Sequence, residues 1–302
     1  MDVTLTGLRV LREVAEHGTV TAAAGSLGYT QSAVSRQIAA LEQAVGHRLF
    51  ERRRNGMELT PAGRTVLRHA SVALGALAAA ETELSGAGRR DVTFRLGVTP
   101  VASAALLPGA LAALRRHNQR AQVTTREGTT ASLVRALRAR TLDAALLTSR
   151  PPHRAPDGDS PPLQVTPLLD THLLLAVSAH GPFAGRAEVD VGELAAEAWI
   201  AASAAVDEPV LGVWPGMPGR PRVAHITRDW LVKLRLVAAG AGVTTVPASL
   251  AAILPAGVQL SRIAGLPDEI RRVNWVTTDG PADETATAVL AAIRDQVAAI
   301  RI

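Results

Sequence analysis

Apolar residues early in the chain recur at helical spacing. Val34, Ile38, Leu41 and Val45 lie four, three and four residues apart, which sets them on one stripe of a helix that starts after Thr30. Thr30 is its expected N-cap. Before it, Thr19 caps a shorter helix whose small residues Ala22 to Ala24 let a neighbouring helix approach closely, and Gly28 supplies the stop. Further on, Asn55-Gly56 is a strong hairpin signal and predicts a two-stranded wing. Thr60-Pro61 then caps and starts another helix. Along it Leu67, Ala70, Leu74, Leu77 and Leu84 follow at three-four spacing, with Glu81 in the fifth slot, a seam for a second copy of the same helix or, as the alternative, a stripe that packs on the chain's own head. Ser85-Gly86-Ala87-Gly88 reads as a hinge.

From Asp91 the pattern changes to short β runs alternating with helical segments. Strands are expected at Val92 to Val98, Gln122 to Arg126 and Asp143 to Thr148, with helices at about Ser103 to His117 and Thr130 to Arg138. This alternation predicts a parallel, helix-covered sheet. Residues 151–162, with five prolines, mark an exposed connection. A second alternating unit has strands at His172 to Val177, Trp199 to Ala201, Val223 to Ile226 and Val243 to Val246, and a helix from about Asp229 to Ala239. A strand from Arg272 to Thr278 and a helix from Asp283 to Ile300 close the chain. The late return implies a first lobe at about 91–165 and 267–302, interrupted by a second at about 166–266. The division is therefore a head at 1–60, a linker helix and hinge at 61–88, and a two-lobed α/β domain at 89–302.

Composition narrows the chemistry. The chain has no cysteine, which removes disulfides, thiolate metal sites, cysteine nucleophiles and thiol redox switches, so sensing must be non-covalent. Its basic residues are all arginine except Lys233, and the net charge is +5, a balance that suits an anionic partner. No apolar run reaches the roughly 18 to 20 residues of a membrane span, and Asp2, Arg9, Arg12 and Glu13 puncture the start, so a soluble, cytoplasmic chain with no membrane partner is expected. The histidines show no metal-ligand spacing, and no phosphate loop, dinucleotide fingerprint or nucleophile elbow is present. The expectation is a protein that is not an enzyme and carries no metal or cofactor.

Candidate binding residues fall in two groups. Opposite the buried stripe, Gln31, Ser32, Ser35 and Arg36 offer short donors, acceptors and a fork-shaped cation, the chemistry that base edges and phosphates of a major groove require. Arg52, Arg53 and Arg54 add guanidiniums at the wing. In the α/β region, Thr99, Val101 and Ser103 lie between the first strand and its helix and Thr130 opens the next helix, a rim that favours a carboxylate or another anion. Ser203, Ala204 and Thr227 are the expected contacts from the second lobe.

The stretch with Gln31-Ser32-Ala33-Val34-Ser35, Ile38, Leu41-Glu42, Gly46, Leu49-Phe50-Glu51-Arg52 and Leu59-Thr60-Pro61-Ala62-Gly63 resembles the LysR family of transcriptional regulators. Leu96-Gly97-Val98, Leu106-Leu107-Pro108, Leu142-Asp143-Ala144-Ala145 and Val237 to Val243 extend the resemblance over nearly the whole chain. Ser32 stands where many relatives have proline, and Val101 where they often have a hydroxyl residue. The resemblance implies a multidomain protein: an all-α-type winged helix-turn-helix head, a long linker helix and a two-lobed effector domain like periplasmic binding proteins. It implies double-stranded promoter DNA, a small-molecule effector, RNA polymerase and a homodimer or homotetramer as partners. One rival reading is an enzyme or solute-binding domain whose head serves only oligomerisation; another is a different winged-helix regulator, which would need no inserted second lobe, and the proline-rich 151–162 segment and the late return at Arg272 argue against it.

Overall fold

The computed structural model describes residues 2–53, 56–84, 93–117, 122–156, 158, 162–202, 212–278 and 284–300. The head comprises α1 (Leu5–His17), α2 (Val20–Leu27), α3 (Gln31–Val45), β1 (Phe50–Arg53) and β2 (Gly56–Leu59), followed by α4 (Pro61–Leu84). Each short helix starts on a threonine hydroxyl, Thr4, Thr19 or Thr30, and ends on a left-handed glycine, Gly18, Gly28 or Gly46. These local stops make compact turns. Val34, Ile38 and Leu41 are buried as their spacing predicts, while Val45 is half-buried at the edge of the same cluster. The Glu42 carboxylate accepts the Leu49 and Phe50 N–H groups at 2.7 and 3.3 Å and so ties α3 to the wing. β1 and β2 pair antiparallel from Phe50 opposite Leu59 to Arg53 opposite Gly56; the expected turn residue Asn55, like Arg54, lies outside the described residues.

The linker helix divides between the two readings of its stripe. Leu67 and Ala70 join the head's own core with Val10, Leu11, Val14, Leu49 and Phe50, and Leu74 is buried as well. Three helices and a hairpin enclose too little apolar volume to close a core, so the first half of α4 completes it. A side chain at Gly63 would stand 2.1 Å from the Leu49 carbonyl oxygen, so glycine permits this close approach. Only the later part of the expected seam remains open, with Leu77 exposed and Leu84 88 % exposed. The side chain of Glu81 and the hinge at 85–88 lie outside the described residues.

The α/β part contains β3 (Thr93–Val98), α5 (Pro100–His117), β4 (Gln122–Glu127), α6 (Thr130–Arg138), β5 (Ala144–Ser149), β6 (Gln164–Ser178), β7 (Glu188–Asp190), β8 (Ala198–Ala201), β9 (Arg222–Ile226), α7 (Trp230–Ala238), β10 (Thr244–Pro247), β11 (Val258–Ala264), β12 (Ile270–Thr277) and α8 (Glu284–Ala299). The strands of the main sheet run in the order β4-β3-β5-β12-β6-β11-β7, with β10 also on β6, and β8 and β9 form a separate parallel pair. β3 pairs parallel with β4 and β5, but β12 is antiparallel to both β5 and β6. The sheet is therefore mixed, not purely parallel: β12 returns from the second lobe without a crossover helix to reverse its direction.

β6 is the element that joins the lobes. Its first part, Gln164 to His172, pairs with β12, and its second part, Leu173 to Ser178, pairs with β10 and β11. Asp170 and Arg272 brace the junction through paired hydrogen bonds of 2.6 and 2.7 Å, and this guanidinium holds the Asp170 carboxyl below the usual carboxylate range. Alternate residues of β5 serve two cores. Ala144 and Leu146 face α5 and α8, whereas Ala145 and Leu147 face Leu133 and Leu137 of α6. A strand covered on both faces must be apolar, as this one is from Ala144 to Leu147.

Candidate nucleic-acid interface and effector rim

On α3 the face opposite the buried stripe is open: Gln31, Ser32, Ser35 and Arg36 are all exposed. The first turn is ordered by its cap. The Thr30 hydroxyl accepts the Ala33 N–H at 3.2 Å and lies 3.1 Å from the Ser32 hydroxyl. The Gln31 amide donates to the Thr21 hydroxyl at 2.8 Å, so α2 orients the residue that leads α3. Thr21 was not among the expected site residues, because its contact joins two helices and no spacing in sequence encodes it. N–H groups of the α3 first turn and the positive end of its dipole add to the same surface.

The wing arginines are not equivalent. The Arg53 guanidinium lies 2.8 Å from Glu51 and 3.4 Å from Glu58, so its charge is partly neutralised by its own hairpin. Arg36 and Arg52 have no carboxylate partner among the described residues. Arg54 lies outside the described residues.

Of the expected effector residues, Thr99, Val101 and Ser103 follow β3, Thr130 follows β4, and Thr227 follows β9. The Gly128 N–H donates to the Val98 carbonyl at 3.1 Å, which joins the segments leading to Thr99 and Thr130. Thr99 is buried, with its hydroxyl 3.2 Å from the Leu146 carbonyl and 2.9 Å from the Thr148 hydroxyl. Val101 and Ser103 belong to the first turn of α5 instead of a loop, and the Ser103 N–H donates to the Thr99 carbonyl at 2.9 Å. Val101 packs with Trp230 of α7 and Leu250 in one apolar cluster, so the two lobes meet there. Thr130 is the first residue of α6, while the capping hydroxyl is that of Thr129, which accepts the Ser132 N–H at 3.2 Å. Thr227 donates its N–H to the Ala201 carbonyl at 2.8 Å and accepts the Asp229 N–H at 3.2 Å. Ser203 and Ala204 lie outside the described residues.

The burial of one charged group carries no signal in the sequence. Lys233 lies on the inward stripe of α7 with Leu234 and Val237 and is 2 % exposed, its ammonium 4.7 Å from the centre of the Trp230 ring. Burial pushes its pKa down to about 8. Among the described residues no group of three or more histidines, aspartates or glutamates is placed to hold a metal ion, and no helix is long and apolar enough to cross a membrane.

Known proteins supply the remaining comparison. Residues 5–64 match the family of bacterial regulatory helix-turn-helix proteins of the lysR type, and residues 87–298 match the LysR substrate binding domain. The chain is 35 % identical over 187 residues to a probable hydrogen peroxide-inducible genes activator of Mycobacterium xenopi, covering 62 % of this chain and 95 % of that protein. It is 31 % identical over 269 residues to the HTH-type transcriptional regulator TdfR of Cupriavidus pinatubonensis, covering 87 % of this chain and 88 % of that one. The crystal structure of HinK, a LysR family transcriptional regulator from Pseudomonas aeruginosa, shares the fold with a TM-score of 0.55 at 21 % identity, over 98 % of this chain and 99 % of that one. The head with its open α3 face, the two-lobed body and these matches lead to one assignment: the chain belongs to the LysR family of transcriptional regulators.

Proposed function

We propose that this regulator reads double-stranded promoter DNA through the first turns of α3 and responds to a small molecule held between its two lobes. Gln31, Ser32, Ser35 and Arg36 enter a major groove, while Arg52, Arg53 and Arg54 hold phosphates beside it. The observation that carries this reading is the division of α3, with Val34, Ile38 and Leu41 buried and the opposite polar face wholly exposed beside the wing. The units are a head at 1–60, a linker at 61–88 and an effector domain at 89–302, with lobes at about 91–165 with 267–302 and 166–266. Leu77 and Leu84 leave the distal half of α4 for a second copy, as a dimer or tetramer needs. RNA polymerase is the further partner, and the cytoplasm is the site of action.

Thr99, Val101, Ser103, Thr130, Ser203, Ala204 and Thr227 surround the effector, and the N–H groups at the α6 N-terminus favour a small anion. One similar protein is named for hydrogen peroxide induction. This chain has no cysteine, so its effector acts by binding and not by thiol oxidation. The test is a gel-shift titration over salt with the intergenic DNA beside the gene. Affinity falling at least tenfold between about 50 and 200 mM salt is expected, as several phosphate contacts require. A slope near zero with no protected fragment would transfer the chain to the enzyme or solute-binding class.

The hydrogen bond from Gln31 to Thr21 adds a selective effect. Thr21→Val leaves overall affinity within about threefold but relaxes selectivity at one base position by about 1 kcal/mol, since an oriented amide discriminates bases by roughly 1–3 kcal/mol. Thr21→Ser restores it. Competition with single-base-substituted duplexes measures the effect, and selectivity unchanged at every position would remove Thr21 from the reading apparatus.

A further inference from the structure

Helix α6 belongs to two cores at once. Leu133, Val134, Ala136 and Leu137 pack with Leu142, Leu147 and Val276 in the first lobe. Two residues after Leu137, the fully buried Ala139 is part of the head's apolar core. Its carbonyl accepts the Ser71 hydroxyl of α4 at 2.8 Å. Just before it, Arg135 donates from Nε to the Glu16 carbonyl at 3.0 Å and lays its guanidinium against Gly18. Arg126, at the end of β4, pairs with the Glu16 carboxylate, whose side chain is only 11 % exposed.

The segment so gripped also anchors the wing. Gly18 turns left-handed at φ 72°, and its carbonyl accepts the Met57 N–H of β2 at 2.7 Å. A side chain at Gly56 would lie 2.3 Å from that same oxygen, so the wing sits directly on the turn. The lobe thus grips Glu16 and Gly18, and the wing rests on the carbonyl of that same Gly18.

We propose that the Glu16, Arg126 and Arg135 junction docks the DNA-reading head on the first lobe of its own chain and sets the angle of the wing, making α6 the path from effector domain to DNA. Thr130, at the other end of α6, lies on the effector rim, so a rigid helix of about two and a half turns separates the two sites. The docking itself stands on the contacts above, and its consequence for DNA rests on the reading of α3 given before.

The test compares the full-length chain with Arg126→Ala/Arg135→Ala, using hydrogen exchange and the gel shift with the intergenic DNA. Amides of residues 14 to 18 and of Met57 should exchange at least tenfold faster in the variant, with α3 amides unchanged as the measure of an intact head. DNA affinity should fall about three- to tenfold with selectivity kept, because a loosened wing loses preorganisation. The milder exchange of charges, Glu16→Arg with Arg126→Glu, should recover part of the loss of each single change, as a direct pair requires. Unchanged exchange at residues 14 to 18 would show that the head is not docked in solution. Faster exchange with affinity unchanged or increased would deny the junction its role in setting the wing. If the unaltered chain binds no DNA, the reading of α3 fails while the exchange measurement still decides the docking.

Discussion

Replacing Arg36 and Ser35 together by alanine lowers affinity for the operator about 100-fold, as loss of a guanidinium contact worth roughly 1–3 kcal/mol and of its neighbouring hydroxyl predicts. Arg36 is exposed one turn into α3 and, among the described residues, no carboxylate draws its charge away. Arg53→Ala costs much less, because Glu51 and Glu58 already occupy that guanidinium. The form of the loss separates two roles. A base contact relaxes selectivity at one position and leaves the salt slope alone, whereas a phosphate contact weakens all sequences equally and reduces the slope by about one. Both are read by titrating single-base variants of the duplex at several salt concentrations, with circular dichroism as the check on folding. Unchanged occupancy in the double variant would end the assignment of α3 as the reading helix.

Lys233→Met stabilises the protein by about 3 kcal/mol at neutral pH, following the free energy of a depressed ionisation at roughly 1.4 kcal/mol per pH unit. The ammonium is buried with an aromatic ring as its neighbour and no carboxylate among the described residues, and methionine keeps its length without its charge. Its folded pKa of about 8 lies below the ordinary lysine value of 10.5. Below pH 8 both folded and unfolded chains hold the proton, so the full penalty of burying it applies. Between about pH 8 and 10.5 the folded chain gives up the proton first, and the unaltered protein gains stability as pH rises. The difference between the two proteins should therefore be largest at pH 7 and close towards pH 10.5. Urea unfolding at both pH values measures it. A methionine variant no more stable than the parent at pH 7 would mean that the amine has found solvent or an anion.

Elements differ in how far their own residues specify them. The α3 stripe, its threonine cap, the glycine stops and the pairing of the wing follow from side chains within a few residues of one another, and all four stand in the structure. The βα alternation likewise sets Thr99 just after the first strand and Thr130 at the opening of the next helix. Other features escaped. β7 is only three residues long, and β11, Val-Gln-Leu-Ser-Arg-Ile-Ala, alternates too weakly to announce itself. Lys233 occupies a stripe position that periodicity assigns to an apolar residue, and its burial depends on how α7 settles against the second lobe.

By itself the chain's order of residues determined the caps of α2 and α3, the stop at Gly28 and the two faces of α3, because caps, periodicity and backbone preference act over one or two turns. Tertiary structure alone decided that the first half of the α4 stripe is spent on the head's own core, that β12 runs against β5, and that Arg126 and Arg135 reach Glu16 more than a hundred residues away. An apolar stripe specifies that it will be covered but not by what, and a strand specifies its pleat but not its direction. Those choices are settled only when distant segments compete for the same surface.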